Sequence, residues 1–345
     1  MRKVIIHRPG GLERLVVAEQ PDPTPGPGEV LVRVAAAGIN YADCIIRMGL
    51  YASAKELHGY PITPGFEVAG QVAAVGEGVT RFAVGDRVLA VALFGGYASR
   101  LVVPEHQVYA CPRELELAEA AALPAVALTA HHALFELCKL RPGARLLVHS
   151  AGGGVGSMLV QMGKIAGAEV VGVVGGAHKV EHVRALGADH VIDKSSAPLW
   201  SEVERLAPGG FDVVLDANGV ETLKQSYEHL RPTGRLVIYG FHSMLPKQGG
   251  RPDWLKLAWS WLRTPRFDPL KLTNDNRSVM AFNLSYLFER RELLEEGMER
   301  ILGWIHDGRL RLPEVTRYPV DRVAEAHAAL ESGETVGKLV LSFGD

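Results

Sequence analysis

The pattern of apolar and polar positions divides the chain into parts with different predicted structures. Short β-prone runs, separated by Gly and Pro, predict strands over 30–39, 67–76, 86–93 and 98–104. From residue 116 the chain is rich in Ala and Leu, which predicts helix with a break at Pro124. Beyond residue 145, strand-like apolar runs alternate with helix-like segments. This alternation indicates an α/β protein with a doubly wound parallel sheet.

The alternating part is followed by two further segments. Its predicted strands are 145–150, 170–174, 190–193, 212–217 and 235–240, and its predicted helices are 154–167, 177–186, 200–207 and 220–230. A Trp-rich insert occupies about residues 242–278. Helices and a final strand over 337–343 complete the chain.

A glycine-rich turn joins the first strand of the alternating part to its first helix. The run Ala151-Gly152-Gly153-Gly154-Val155-Gly156 matches G-x-G-x-x-G with alanine in the first position. Such a turn offers backbone N–H groups and a helix N-terminus to a pyrophosphate. Gly153 would let the backbone approach the phosphates, and Gly156 would let the helix pack closely on the strand. We therefore predict a dinucleotide site at this turn, the alternative being a purely structural turn.

The residues after the second strand of this part favour NADPH over NADH. NAD sites usually carry Asp or Glu there to bind the ribose 2′-hydroxyl. Here Gly175 and Gly176 occupy that place, His178 and Lys179 follow, and Lys194 lies just beyond the third strand. A 2′-phosphate requires cations and no carboxylate. The alternative is that these charges are merely solvated.

Composition narrows the class of protein. The 345 residues are enough for two domains, and 47% hydrophobic with 22% charged residues is typical of a globular protein. A formal charge of −2 does not suggest a nucleic-acid partner. The chain shows no apolar run of about 18 residues and no signal peptide, so we expect no membrane span. Its cysteines (Cys44, Cys111 and Cys138) are far apart, and we expect a reducing, cytoplasmic setting.

Three further segments, taken with the glycine turn, resemble the medium-chain dehydrogenase/reductase superfamily. They are GINYADCIIRMGLY (38–51), PGFEVAGQVAAVGEGVTRFAVGDRV (64–88) and AAALPAVALTAHHAL (120–134). The chain looks like the zinc-free quinone oxidoreductase (zeta-crystallin-like) branch. The insert and NRSVMAFNLSYL (276–287) resemble the vesicle amine transport protein subgroup of that branch. The resemblance implies a GroES-like β-rich catalytic domain from residues 1–124 and 279–345, and a Rossmann NADPH-binding domain from 125–278.

The chain departs from the zinc-dependent members of the superfamily at two ligand positions. Asn40 stands where they carry a cysteine ligand, and Gly65-Phe66-Glu67 stands where they have Gly-His-Glu. Catalytic zinc needs three protein ligands, and a phenylalanine cannot be one. We therefore expect no catalytic metal. Without a Lewis acid, quinones and conjugated enones are the easier acceptors, because the anion that forms after hydride addition is delocalised.

The resemblance also implies roles for individual residues. Asn40 and Thr129 would flank the nicotinamide ribose and ring, and Tyr51 would donate a proton, the alternative being a pocket wall with solvent as the donor. Gly240, Phe241 and Asn283 would lie near the nicotinamide carboxamide, and Asn218 near the adenosine ribose.

The Trp-rich insert predicts a helix that starts near Pro252. Its apolar stripe consists of Trp254, Leu257, Ala258, Trp261 and Leu262. We expect this stripe to pack against protein, either over the substrate cleft or in a dimer. The alternative, with Lys256 and Arg263 as flanking cations, is a membrane surface.

These observations predict an NADPH-dependent, zinc-free reductase of quinones or α,β-unsaturated carbonyl compounds. We expect a homodimer in which RLVIYG (235–240) and SVMAFNL (278–284) pair between subunits. Two alternatives stay open: an NADPH-binding protein associated with membranes or vesicles that has little catalysis, and an enoyl-thioester reductase.

Overall fold

A computed structural model describes residues 1–246 and 250–344; residues 247–249 of the predicted insert lie outside the described residues. The strands of the described residues are β1 (Arg2–Ile5), β2 (Val16–Glu19), β3 (Glu29–Ile39), β4 (Glu67–Val75), β5 (Arg87–Val91), β6 (Arg100–Pro104), β7 (Val108–Ala110), β8 (Arg145–Val148), β9 (Glu169–Val174), β10 (His190–Asp193), β11 (Phe211–Asp216), β12 (Leu230–Ile238), β13 (Ser278–Ala281), β14 (Val315–Pro319) and β15 (Lys338–Ser342). The α-helices are α1 (Tyr41–Met48), α2 (Ala52–Leu57), α3 (Leu117–Ala120), α4 (Pro124–His131), α5 (Gly154–Ile165), α6 (Val180–Ala185), α7 (Leu199–Leu206), α8 (Leu223–Glu228), α9 (Trp254–Arg263), α10 (Pro269–Asp275), α11 (Arg291–His306) and α12 (Val323–Ser332).

One sheet combines strands from both ends of the chain. Its seven strands follow the order β14-β15-β3-β4-β5-β7, with β6 also paired to β3. The last strand, β15, runs antiparallel to β3 with Leu339 opposite Ile39. This register places Lys338 beside Asn40, the residue that follows β3. The C-terminal strand therefore brings Lys338 next to the end of the N-terminal strand β3.

The second sheet confirms the predicted α/β class. Its six strands are all parallel and follow the order β10-β9-β8-β11-β12-β13. In chain order this is 3-2-1-4-5-6, the arrangement of dinucleotide-binding sheets, whose ligand lies at the carboxyl ends of the strands where the order reverses. Here that point lies between β8 and β11, directly beside the glycine turn.

Strand β12 begins at Leu230, earlier than the predicted start at residue 235. This strand includes Pro232, which has no N–H to donate to a ladder. In the structure the pairing of β11 with β12 shifts register between Phe211 and Val213, and regular pairing resumes at Arg235.

Strand β13 pairs in parallel with β12 of the same chain. The predicted domain boundary between residues 278 and 279 therefore falls inside a strand of the nucleotide-binding sheet. The segments 235–240 and 278–284 pair with each other within the chain, and β13 forms the edge of the sheet, so pairing between subunits stays a prediction.

Helix α9 contacts the rest of the chain through a narrow face. The Asp253 carboxylate caps it by accepting the N–H of Lys256 at 3.0 Å. Ser260 is buried and Leu257 is half-buried. The other members of the predicted stripe, Trp254, Ala258, Trp261 and Leu262, are exposed. The expectation that the stripe packs over a cleft of this chain is therefore wrong for the described residues, because only one side of this short helix meets the body of the protein.

The segment Leu117–Leu137 is long and apolar enough to cross a membrane by length and composition alone. It comprises α3, α4 and a π-helical stretch over His132–Leu137. However, 78% of its most apolar window is buried inside the protein. The core helix of a folded domain passes the same test, so this segment is weak evidence for a membrane span.

Candidate active site

The glycine turn after β8 has the geometry of a pyrophosphate cradle. A Cβ on Gly156 would lie 2.2 Å from the Ser150 carbonyl oxygen, so only glycine allows α5 to approach the turn this closely. A Cβ on Gly153, the N-cap residue, would meet nothing nearer than 3.4 Å. No side-chain hydrogen bond caps α5 within the described residues. Its first-turn N–H groups therefore have no side-chain acceptor in the described part of the chain, a condition for phosphate binding at a helix N-terminus.

The other predicted residues of this turn have packing roles. Ala151 is fully buried, and its N–H donates to the Val173 carbonyl at 2.9 Å, so it anchors the turn to the neighbouring strand. A Cβ on Gly154 would lie 3.0 Å from a Val126 methyl and 3.3 Å from the Lys338 side chain. Val155 is half-buried in the first turn of α5. The start of the helix is therefore packed against the catalytic part of the molecule.

The residues predicted to select NADPH meet the loop that follows α12. Lys179 is nearly buried, its ammonium donates to the Gly333 carbonyl, and burial lowers its pKa. His178 Nε2 lies 2.9 Å from the Glu334 carbonyl oxygen. Lys194 is exposed, and its Cε would lie 4.0 Å from a Cβ on Gly175. Lys194 is thus the freer cation, whereas Lys179 would have to exchange its carbonyl partner for a phosphate.

A buried carboxylate orders the loop after β11. Asp216 Oδ1 accepts the backbone N–H groups of Asn218 at 2.8 Å and Gly219 at 3.0 Å. The Asn218 side-chain oxygen accepts the Ser150 hydroxyl at 2.9 Å, which ties this loop to the glycine turn. Asn218 therefore lies beside the glycine turn, and its place near the adenosine ribose stays a prediction. Sequence reasoning missed Asp216, although a carboxylate at the end of an apolar strand was a usable signal.

A buried ion pair holds the side-chain amide of Asn40. Lys338 Nζ lies 2.6 Å from Glu67 Oε1, and both side chains are almost fully buried. Asn40 Nδ2 donates to Glu67 Oε1 at 2.8 Å, and Asn40 Oδ1 accepts from Lys338. The second carboxylate oxygen accepts the Ala125 N–H at 2.7 Å. The Asn40 amide is therefore fixed in one orientation by a donor on one side and an acceptor on the other.

A second polar cluster joins two predicted residues from distant parts of the chain. The Tyr51 hydroxyl donates to Asn283 Oδ1 at 2.9 Å and lies 3.0 Å from the Ser285 hydroxyl. Asn283 Oδ1 also accepts the Ser285 N–H at 3.0 Å. Burial raises the pKa of Tyr51, so the phenol keeps its proton at neutral pH.

Aromatic side chains cluster beside Tyr51. The Phe66 ring lies 6.0 Å from the Tyr51 ring in an edge-to-face arrangement and 5.6 Å from the Phe94 ring. His58 makes an edge contact with Phe94 at 5.8 Å. Phe66 and Phe94 are both buried in one apolar cluster, and Tyr51 packs against it.

The remaining predicted residues have less direct roles. The Thr129 hydroxyl donates at 2.7 Å to the Ala125 carbonyl one turn earlier in α4, so this hydroxyl is engaged within its own helix. A Cβ on Gly240 would lie 3.0 Å from the Ala217 carbonyl oxygen. Phe241 is 40% exposed, and a Cβ on Gly219 would lie 2.8 Å from its ring. The structure thus places Gly240 and Phe241 against the loop that carries Asn218.

Comparison with known proteins agrees with this geometry. Residues 26–113 match the family described as alcohol dehydrogenase GroES-like domain, and residues 186–341 match the family described as zinc-binding dehydrogenase. Over 346 residues the chain is 33% identical to the synaptic vesicle membrane protein VAT-1 homolog of Homo sapiens, with 100% of this chain and 87% of that protein covered. The chain belongs to the medium-chain dehydrogenase/reductase superfamily.

Two further similarities support its position in that superfamily. The chain is 30% identical over 346 residues to the 2-haloacrylate reductase of a Burkholderia species, covering 98% of this chain and 97% of that enzyme. The structure of Escherichia coli quinone oxidoreductase complexed with NADPH matches with a TM-score of 0.87 at 28% identity, covering 99% and 100% of the two chains. These findings confirm the resemblance to the zinc-free quinone oxidoreductase branch that includes VAT-1 homologues. The protein is an oxidoreductase of this superfamily, and the family binds NADP(H).

One matching family is named for zinc, and the donor atoms of this chain decide whether it could hold that metal. At the two positions where the zinc-dependent members carry ligands, Asn40 Oδ1 is already bonded to Lys338, and Phe66 offers no donor atom. These residues do not fit a catalytic zinc, which needs three protein ligands.

Within residues 1–246 and 250–344, one group of side chains has metal-ligand spacing: Cys44, His327 and Glu331, all buried. Cys44 Sγ lies 3.5 Å from His327 Nδ1, and Glu331 forms a buried ion pair with Arg47. Burial raises the pKa of the Cys44 thiol and lowers the pKa of His327 to about 3, so both groups are neutral. The cluster is already balanced by the Arg47–Glu331 pair, and a dication beside Arg47 would be repelled.

Sequence reasoning missed three residues of the two polar clusters around Asn40 and Tyr51. Glu67 was read only as the neighbour of Phe66, and Ser285 follows the predicted Asn283-Leu284 segment directly. Lys338 gave the clearest signal, because it is a lysine at the start of an otherwise apolar strand and lysine is almost never fully buried without a partner. The partner itself could not be identified without the fold.

Proposed function

We propose that the protein is a zinc-independent, NADPH-dependent reductase that transfers hydride to quinones or α,β-unsaturated carbonyl compounds. The observation that carries this proposal is the fixed Asn40 amide at the reacting end of the cleft. An amide held between Glu67 and Lys338 can orient a ligand but does not act as a Lewis acid. A site built in this way suits acceptors whose developing negative charge is delocalised within the acceptor itself.

The chain's own residues would bind the nucleotide, orient the acceptor and supply a proton. When bound, NADPH supplies the hydride. The glycine turn would hold the pyrophosphate at Gly153, and Lys194 would approach the 2′-phosphate. Tyr51, whose ring packs against Phe66, would donate its proton to the enolate oxygen or α-carbon. Because Ser285 lies 3.0 Å from the Tyr51 hydroxyl, it can stabilise the resulting phenolate.

The relatives support this assignment through the chemistry in their names. A 2-haloacrylate is an activated alkene conjugated to a carboxylate, and a quinone is a conjugated dicarbonyl. Both acceptors take up hydride at a carbon of a conjugated system. The Escherichia coli quinone oxidoreductase was solved in complex with NADPH. These names motivate the choice of acceptors and coenzyme for the assay.

The proposal is tested by following NADPH oxidation with a panel of quinones and enones, with and without a chelator. We expect turnover that is insensitive to the chelator, in protein without stoichiometric zinc. Replacing Tyr51 by Phe should lower kcat for an enone by roughly 10²-fold, the lower end of general-acid contributions. The effect on a quinone should be smaller, because solvent can protonate hydroquinone oxygens. Tyr318→Phe, a half-buried tyrosine on β14, is the matched control.

Two results would count against the proposal. Tight NADPH binding without oxidation by any acceptor would instead support a nucleotide-binding protein with little catalysis. Activity that the chelator abolishes and added zinc restores would remove the zinc-independent mechanism.

A further inference from the structure

The insert carries a concentration of exposed apolar side chains. Five residues of α9 and one of α10 are between 62% and 86% exposed: Trp254, Leu255, Trp259, Trp261, Leu262 and Leu270. These six account for half of the large apolar side chains that are exposed in the described part of the chain. Exposed apolar side chains concentrated in this way indicate an interaction site rather than ordinary surface.

The exposed side chains form a broad face on α9. Viewed down the helix axis, at about 100° per residue, the exposed apolar side chains cover an arc of about 160°. Trp261 lies at one edge of this arc and Trp259 at the other. Lys256 and Arg263 border this arc on one side, and the buried Ser260 marks the opposite side that meets the protein. A stripe that fits another helix needs only about 100°. An arc near half the circumference suits immersion in a continuous apolar medium.

The charges around this face are predominantly positive. Residues 250–273 contain five cationic side chains and two carboxylates, in a chain whose formal charge is −2. The cationic residues are all exposed: Arg251, Lys256, Arg263, Arg266 and Lys271. Both carboxylates, Asp253 and Asp268, cap the helices α9 and α10 by accepting backbone N–H groups. The surface therefore offers indole and leucine side chains bordered on one side by cations, while Arg251 is paired with Glu13.

We propose that α9 and Leu270 form a docking surface for an anionic lipid bilayer, with the helix lying in the plane of the interface. Tryptophan favours the boundary between water and acyl chains, and the cations would meet lipid phosphates and carboxylates. A second copy of the chain fits less well, because a two-fold contact would bring the same excess of positive charge against itself. This inference does not depend on the proposed reductase activity.

The test is co-sedimentation of the full chain with vesicles of phosphatidylcholine alone or mixed with phosphatidylserine. We expect binding to the anionic vesicles, with a blue shift of tryptophan emission, and little binding to the neutral ones. Trp259→Ser combined with Trp261→Ser should abolish binding. Arg263→Glu combined with Arg266→Glu should weaken it at least tenfold, since each cation near an anionic surface contributes about fivefold.

Matched controls separate docking from folding. Val84→Ser removes an apolar side chain that is 67% exposed outside the insert, and Arg113→Glu reverses an exposed charge outside it. Both should bind vesicles like the unaltered chain, and circular dichroism should show that all variants are folded. Absence of binding to any vesicle, or unchanged binding by the tryptophan variant, would overturn the proposal. Conversion of a dimer to a monomer by the tryptophan variant, without vesicle binding by either, would assign the surface to a second copy.

Discussion

Replacing Lys338 by Met tests whether the buried ion pair organises the catalytic end of the cleft. The change removes the cation that lies 2.6 Å from the Glu67 carboxylate and keeps a chain of similar length. Glu67 would remain fully buried with two neutral donors, the Asn40 amide and the Ala125 N–H. Breaking a buried pair at one partner costs about 3–5 kcal/mol, because a charge is left without its counterion. We expect a loss of unfolding free energy in this range.

The double variant Glu67→Gln with Lys338→Met makes the prediction specific. It removes both charges, and the introduced glutamine side chain can still accept the Ala125 N–H through its oxygen. The NH₂ group of that side chain can donate to Asn40 once the Asn40 amide turns over. The double variant should therefore lose at least about 2 kcal/mol less unfolding free energy than the two single variants lose together. Turnover should nevertheless stay low, because the Asn40 amide then presents the opposite atom to its ligand.

The assay is urea-induced unfolding followed by circular dichroism, with steady-state kinetics on the same preparations. A cost below about 1 kcal/mol for Lys338→Met would show that the pair is not the constraint described here. The same conclusion would follow if the single and double changes were additive. Full activity in the double variant would show that the orientation of the Asn40 amide is unimportant.

Three further predictions concern other parts of the molecule. Gly156→Ala should weaken NADPH binding at least tenfold in a fluorescence titration, because its Cβ would lie 2.2 Å from the Ser150 oxygen; Gly303→Ala, in open space on α11, should leave it unchanged. Burial lowers the pKa of His327 to about 3. As the pH drops from 6.5 towards 3, this histidine is therefore protonated in the unfolded state but not in the folded state, and the free energy of unfolding falls. Urea unfolding at several pH values should show His327→Gln flattening this dependence by about 1.4 kcal/mol per pH unit, and an unchanged slope would contradict the assignment. Lys194→Glu should raise the KM for NADPH by roughly tenfold and leave the KM for NADH nearly unchanged, since only NADPH carries the 2′-phosphate. Equal effects on the two KM values would show that Lys194 does not bind the 2′-phosphate.

The parts of the fold that could be predicted are those that depend on local sequence. The strands around the glycine turn are continuous apolar runs because helices cover both faces of a parallel sheet. Gly153 and Gly156 stand at fixed spacing because the turn geometry demands it. The helical cap at Asp253 likewise follows from a short polar side chain just before an apolar run. Each of these features is visible within about a dozen residues.

The rest depends on contacts between distant segments. Lys338 meets Glu67 only because β15 pairs with β3, and Tyr51 meets Ser285 only because the segment after β13 returns to α2. What covers the apolar face of α9 could not be predicted from the sequence either, because a stripe of Trp and Leu looks the same whether protein or lipid covers it. The helical spacing was visible in the sequence, but the side of the helix that meets the body was not.

Direct hydride transfer is tested by following deuterium from NADPH, labelled at its transferable position, into the product of a conjugated enone. Direct hydride transfer predicts deuterium on the β-carbon of the product, formed in the presence of a chelator. Tyr51→Phe should slow product formation without moving the label. Unlabelled product, or no product despite bound NADPH, would contradict direct hydride transfer in this cleft.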